Sequence, residues 1–168
     1  MTRTWMVALA CLAACGKGDS KPAGGSAAPG KPASGNVCDR KLLTIADVGG
    51  ILAEPVTATR PLAGDPQTCE FVTASIDKGG PMIRISLRPG LGKQTVQAML
   101  DGKMNVDAKP VSGLGDSAAW VDMLYELDVE KANTLCMAAI AGGAVVQTKP
   151  PDLQARLGAL CTKVLAAL

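Results

Sequence analysis

The chain has 168 residues, 48% hydrophobic but only 2% aromatic, with 17 Lys and Arg against 15 Asp and Glu and no histidine. The lack of His removes imidazole general bases, Ser-His and Cys-His nucleophile pairs and His-ligated zinc. A net charge of +2 without a run of like charge, and only Phe71, Trp120 and Tyr125 as aromatic side chains beyond Trp5, also exclude the basic patch and stacking surface of a nucleic-acid binder.

Residues 1–14 have the order of a secretory signal: Arg3, an apolar stretch "WMVALACLAA", then small residues before a cleavage point. A bilayer span needs roughly twenty apolar residues, so this stretch is too short to remain as a transmembrane helix. "LAAC" followed by Gly16 resembles the lipobox of bacterial lipoproteins. In that motif the peptide is cut before the cysteine, its thiol takes a diacylglycerol and the new amino terminus is acylated. Leu12, Ala13 and Ala14 match the three positions before the modified residue, and Cys15 matches the modified residue itself. Cys11 fits less well because Ala8 occupies its outer position. Each buried methylene contributes about 0.8 kcal/mol, so two or three chains on one residue anchor a protein stably where one does not. The expected location is therefore the cell envelope. Gly16 rather than Asp after the cysteine resembles outer-membrane sorting, where the cell has such a membrane; otherwise the outer face of the cytoplasmic membrane is expected.

After Cys15, residues 16–36 are almost entirely Gly, Ser, Ala, Pro and Lys and lack branched apolar side chains, which predicts a disordered tether. A flexible chain of this length reaches roughly 25 Å. Residues 37–168 then form one domain-sized stretch with 13 basic and 14 acidic residues, a net −1. Once Cys11 leaves with the signal and Cys15 is acylated, Cys38, Cys69, Cys136 and Cys161 remain. An even number in an exported chain predicts two disulfides. No pair is spaced Cys-x-x-Cys, so neither a metal site nor a thioredoxin-like redox centre is expected. Of three connectivities, Cys38–Cys69 with Cys136–Cys161 is favoured, because each pair joins the edge of a helix to a strand and the two halves close separately.

Along the domain, Thr44 and Asp47 form a capping box, Leu43 and Val48 a hydrophobic staple, and a first helix is expected over 45–53, weakened by Gly49 and Gly50. "TCEFVTASI" and "MIRISL" read as a hairpin across the turn "DKGGP". "QTVQAMLDG" is a short helix ending at Gly102. Val121, Met123, Tyr125, Leu127 and Val129 alternate with more polar residues, predicting one strand over 121–129. "NTLCMAAIAG" returns beside it, and "AVVQT" adds an edge. After Pro150 and Pro151, Leu153, Leu157, Leu160, Val164, Leu165 and Leu168 share one face of a terminal helix, next to Cys161. The expected fold is α+β, an antiparallel sheet covered on one face by helices in two layers.

"CDRKLLTIADV", the later "CEF" and "VSGLGDSAAW" together resemble signatures of small, functionally uncharacterised bacterial lipoproteins. Their domains are similar to the extracellular sensor domain of certain actinobacterial receptor kinases. The matching positions are Cys38, Leu42, Leu43, Thr44, Asp47, Val48, Cys69, Gly113, Leu114, Gly115, Asp116, Ala118 and Trp120. The resemblance implies a fold and two disulfides and carries over no catalytic residue.

Other motifs point to structure. "GLGDSA" fits the Gly-x-Gly-x-x-Ala of dinucleotide-binding turns, but no long buried strand precedes it and a strand, not a helix, follows, so a turn is expected. "GLGKQT" has Gln94 where a phosphate loop needs Ser or Thr. Asp122, Glu126 and Asp128 project from one face of a predicted strand and suit a hard cation, but Arg84 and Arg88 stand on the polar side of another strand, which favours solvated cross-strand pairs. Ser112, Ser117 and Thr73 have no base to activate them, and Trp120 is as well suited to the core as to an exposed recognition ring. No cofactor is expected. The functional expectation is a membrane-anchored, non-enzymatic interaction or sensor-like module with an envelope protein as partner; the alternative is a carrier of a small apolar ligand or lipid.

Overall fold

A computed structural model describes residues 36–142 and 150–168. The signal, Cys15 and the tether up to residue 35 lie outside the described residues, as does the edge strand expected in "AVVQT". The described chain is α+β. Seven strands form one antiparallel sheet: β1 (Val56–Leu62), β2 (Asp65–Thr73), β3 (Met82–Pro89), β4 (Ala108–Pro110), β5 (Ser117–Val121), β6 (Glu126–Lys131) and β7 (Thr134–Ala141). Their spatial order is β1-β2-β3-β7-β6-β5-β4, so two meanders meet where β3 pairs with β7. Three α-helices accompany them: α1 (Ile45–Val48), α2 (Gly92–Leu100) and α3 (Leu153–Ala166).

The chain enters through Asn36, which is buried and accepts the backbone N–H of Asp39 on its Oδ1. Asp47 fixes the start of α1 by accepting both the N–H and the hydroxyl of Thr44, at 2.8 and 2.9 Å. The helix is one turn, not the nine residues expected, because Gly49 leaves helical geometry and Gly50 turns left-handed at φ 76°. The apolar pattern persists beyond it, and Ile51 and Leu52 are buried regardless. Leu43 and Val48, the expected staple, sit in the same core.

Alternation along the strands separates two faces. On one, Cys69 and Phe71 of β2, Ile83, Ile85 and Leu87 of β3, Leu127 and Val129 of β6 and Cys136, Ala138 and Ile140 of β7 meet Leu153, Leu157, Leu160 and Val164 of α3. This is the main core, and α1 joins it. The odd-numbered neighbours in β7, Leu135 and Met137, point the other way and pack with Ala119 and with Val96 of α2. Helices therefore lie on both faces, which corrects the expected arrangement of all helices on one.

Cys136–Cys161 joins β7 to α3, and Cys38–Cys69 joins the entry turn to β2, with Cα separations of 5.7 and 5.4 Å. Both pairs are those expected from sequence. The strand expected over 121–129 is instead two: β5 ends at Val121, a 3-10 turn occupies Asp122–Leu124, and β6 begins after Tyr125. Tyr125 has φ 47° and ψ 42°, a backbone that reverses the chain and that an aromatic residue rarely adopts. Leu168 lies past the end of α3 and is exposed, while the other five residues of the expected helix face are buried.

Candidate functional site

The second face of the sheet carries the polar side chains that the core excludes. Strand register arranges them in rows. One row runs Arg60, Glu70, Arg84, Ala139, Glu126, Val121 across six strands; the next runs Thr68, Ser86, Met137, Asp128, Ala119. α2 covers the end of this face formed by β5, β6 and β7, where Val96 packs on Ala119 and Leu135. Beyond the helix the face is open, and there it forms a cleft of about 450 Å³. Met137 and Ala139 line the cleft between Ser86 and Thr68 on one side and Glu126 on the other. Met123, Leu124 and Tyr125 also line it, with Arg84 and Asp65 from the first meander. Met123 and Leu124 are large apolar side chains left 76% and 46% exposed at this rim.

The charges on this face fall into two groups. Glu70 is only 3% exposed and receives Arg60 Nε at 2.8 Å and Arg84 Nε at 2.9 Å. Burial opposes its ionisation, but the two guanidinium groups outweigh burial and hold its carboxyl below the usual range. Asp65 is treated likewise: burial is offset by the hydroxyl of Thr68, the N–H of Gln67 and Arg88, and its carboxyl is lowered. Glu130 accepts the N–H of Asn133 at 2.9 Å and the hydroxyl of Ser117 at 3.2 Å. Glu126 and Asp128 stand apart from these three. No cation is paired with Glu126 among the described residues, and the carboxyl oxygens of the fully buried Asp128 receive no N–H or hydroxyl from them; the hydrogen-bond partner of Asp128 is the carboxyl of Glu126. Burial, and then the neighbouring charge of Glu126, push the Asp128 carboxyl up to about 8. Burial also raises that of Glu126. At neutral pH the pair holds a proton that isolated carboxyls would release.

The set expected as solvated cross-strand pairs is thus rearranged. Arg84 and Arg88 pair with Glu70 and Asp65 in their own meander. Ala139 separates Arg84 from Glu126 by two strand spacings, about 10 Å between backbones. Asp128 is buried rather than solvated, and Asp122 lies in the 3-10 turn, where its Oδ1 accepts Trp120 Nε1 at 3.1 Å. Trp120 is core, only 5% exposed. Among the described residues no group of three or more Cys, Asp or Glu is placed to hold a metal ion.

"GLGDSA" forms a turn leading into β5. Gly115, at φ 57°, lies so close to β6 that an added Cβ would stand 2.2 Å from the carbonyl oxygen of Glu130. Ser117 and Thr73 spend their hydroxyls on Glu130 and the carbonyl of Pro81. Cys38, Cys69, Cys136 and Cys161 are all paired, and Cys15 lies outside the described residues. The cleft was not anticipated from sequence. The signal for its wall was the run Asp122 to Tyr125, whose accidental alternation concealed a chain reversal. Among the described residues no helix is long and apolar enough to cross a membrane.

No protein-family model, curated protein or solved structure matches the chain.

Proposed function

We propose that the chain is an exported lipoprotein, held to a membrane by acyl chains on Cys15, whose domain acts as a non-enzymatic interaction or sensor-like module in the cell envelope. The observation that carries this reading is the cysteine inventory. All four cysteines after Cys15 fall into two disulfide pairs, a use of sulfur that belongs to oxidising compartments. Of the two others, Cys11 lies inside the apolar leader that is cut away, and Cys15 stands at its end, where lipidation uses it. Intact-mass analysis of the native protein tests the reading: a mature chain starting at a lipid-modified Cys15 with no free thiol supports it. A start at Met1, or four free thiols in the folded domain, overturns it. Pull-down from an envelope extract by the lipidated chain then identifies the partner.

A second reading, a carrier of a small apolar ligand, gains support from the cleft and its apolar wall of Met123, Leu124 and Met137. That wall lies on the face opposite the main core, which side chains of α3 and the sheet fill. Native mass spectrometry of the protein taken from its own membrane distinguishes the readings. A co-purifying lipid supports the carrier, and a clean unliganded mass counts against it.

A further inference from the structure

We propose that the cleft on the second face of the sheet binds a small organic cation, a primary amine on a short apolar chain, with the carboxyl of Glu126 as its anchor. This deepens the reading of the domain as a binding module and rests on it. The volume of about 450 Å³ is that of a small-ligand site, and such sites pair apolar walls with a few convergent polar groups. Met123, Leu124, Met137 and Ala139 supply the apolar walls, and Glu126 supplies a carboxyl among them.

Charge complementarity selects the ligand. Asp65, Glu70 and Glu130 on the same face are each satisfied by donors of the protein, whereas Glu126 has neither a cation nor an N–H donor from the described residues. A half-buried carboxyl has lost part of its hydration, and an ammonium group replaces that hydration with a charge-assisted hydrogen bond. Arg84, the cation lining the cleft, is already engaged by Glu70 and lies across Ala139 from Glu126.

Asp128 sets the pH response. It is the next residue of β6 on this face, opposite Met137, and is fully buried, with the carboxyl of Glu126 as its hydrogen-bond partner. Of the groups facing it, Glu126 and Glu130 are the charged ones on β6. β5 and β7 present Ser117, Ala119, Leu135 and Met137, and α2 presents Val96 and Met99 while its Lys93 is exposed. α3 packs on the opposite face. Among the described residues nothing positive therefore stabilises ionised Asp128, and a bound ammonium beside Glu126 supplies that charge. Binding releases a proton, and affinity rises with pH up to about 8.

The test uses the full lipidated chain in phosphatidylcholine nanodiscs, titrated calorimetrically with hexylamine, hexan-1-ol and hexanoate against empty-disc blanks. Near pH 7.5 hexylamine is expected to bind about tenfold or more tightly than either isostere, with a smaller advantage near pH 5.5. Glu126→Gln removes the advantage, and Ala139→Leu, which fills the cleft, removes binding of all three probes. Equal binding of hexan-1-ol or hexanoate, or a preference that survives Glu126→Gln, overturns the proposal. The wild-type comparison stands whether or not a variant folds. Recovery of hexylamine unchanged keeps the non-enzymatic reading, whereas a new product with amine preference intact overturns that reading and supports the site.

Discussion

Glu126 and Asp128 occupy alternate positions of β6 on one face of the sheet, and among the described residues no cation pairs with either of them. The folded chain keeps the Asp128 proton up to about pH 8, while the unfolded chain releases it near 3.8. Between those values the native state binds more protons. Stability therefore falls as pH rises, by at most about 1.4 kcal/mol per unit, and levels off above the folded value. Asp128→Asn is expected to flatten this limb and to be the more stable protein near pH 8. Urea unfolding with the disulfides intact, repeated across the range, measures it. An unchanged slope in the variant would place the proton elsewhere.

Asp47 behaves in the opposite sense. A hydrogen bond from Lys163 of α3, followed by the N–H and hydroxyl of Thr44, lowers its carboxyl to about 2. That stabilisation is present above 3.8 and is lost as pH falls through the folded value. Lys163 is half exposed, so Lys163→Met is expected to cost only about 0.5–1 kcal/mol at neutral pH and to weaken the acid limb. With Asp65 and Glu70 lowered as well, stability of the wild-type domain should peak near about pH 4–5.

Gly115→Ala is expected to cost about 2 kcal/mol or more. The new Cβ would meet the Glu130 carbonyl and would also demand a left-handed backbone from alanine. Thermal unfolding by circular dichroism reads the loss. Gly64→Ala, where φ is 81° but nothing crowds the added carbon, isolates the backbone part.

Replacing both Cys136 and Cys161 by Ser should lower stability by about 3.5 kcal/mol, from the entropy the unfolded chain regains over 25 residues. Denaturant midpoints of the variant and the parent chain test this. A loss far below 1 kcal/mol would mean that α3 is held by Leu153, Leu157 and Leu160 alone.

Much of the fold was legible in the sequence because its signals are local. The 3-4 spacing of Leu153 to Leu165 specified α3, and the parity and placement of four cysteines specified both bridges. The apolar runs of β2, β3 and β7 were equally plain. β1 escaped because it is an edge strand whose middle five residues are exposed, leaving no alternation to read. β4 escaped because three residues carry too little pattern. The break at Tyr125 was hidden by chance alternation, and with it the wall of the cleft. The partners of Arg84 and Arg88 were not legible either. Ion pairing depends on which strands become neighbours, and β3 places Ala139 of β7, not an acid, between Arg84 and Glu126.

The Cys38–Cys69 bridge has a mechanical consequence. β2 is hydrogen-bonded on both sides, to β1 and β3. Tension arriving from the amino-terminal side passes through a covalent link into a strand that yields only by shearing two ladders at once. The short helix α1, which follows the bridge, is spared that load.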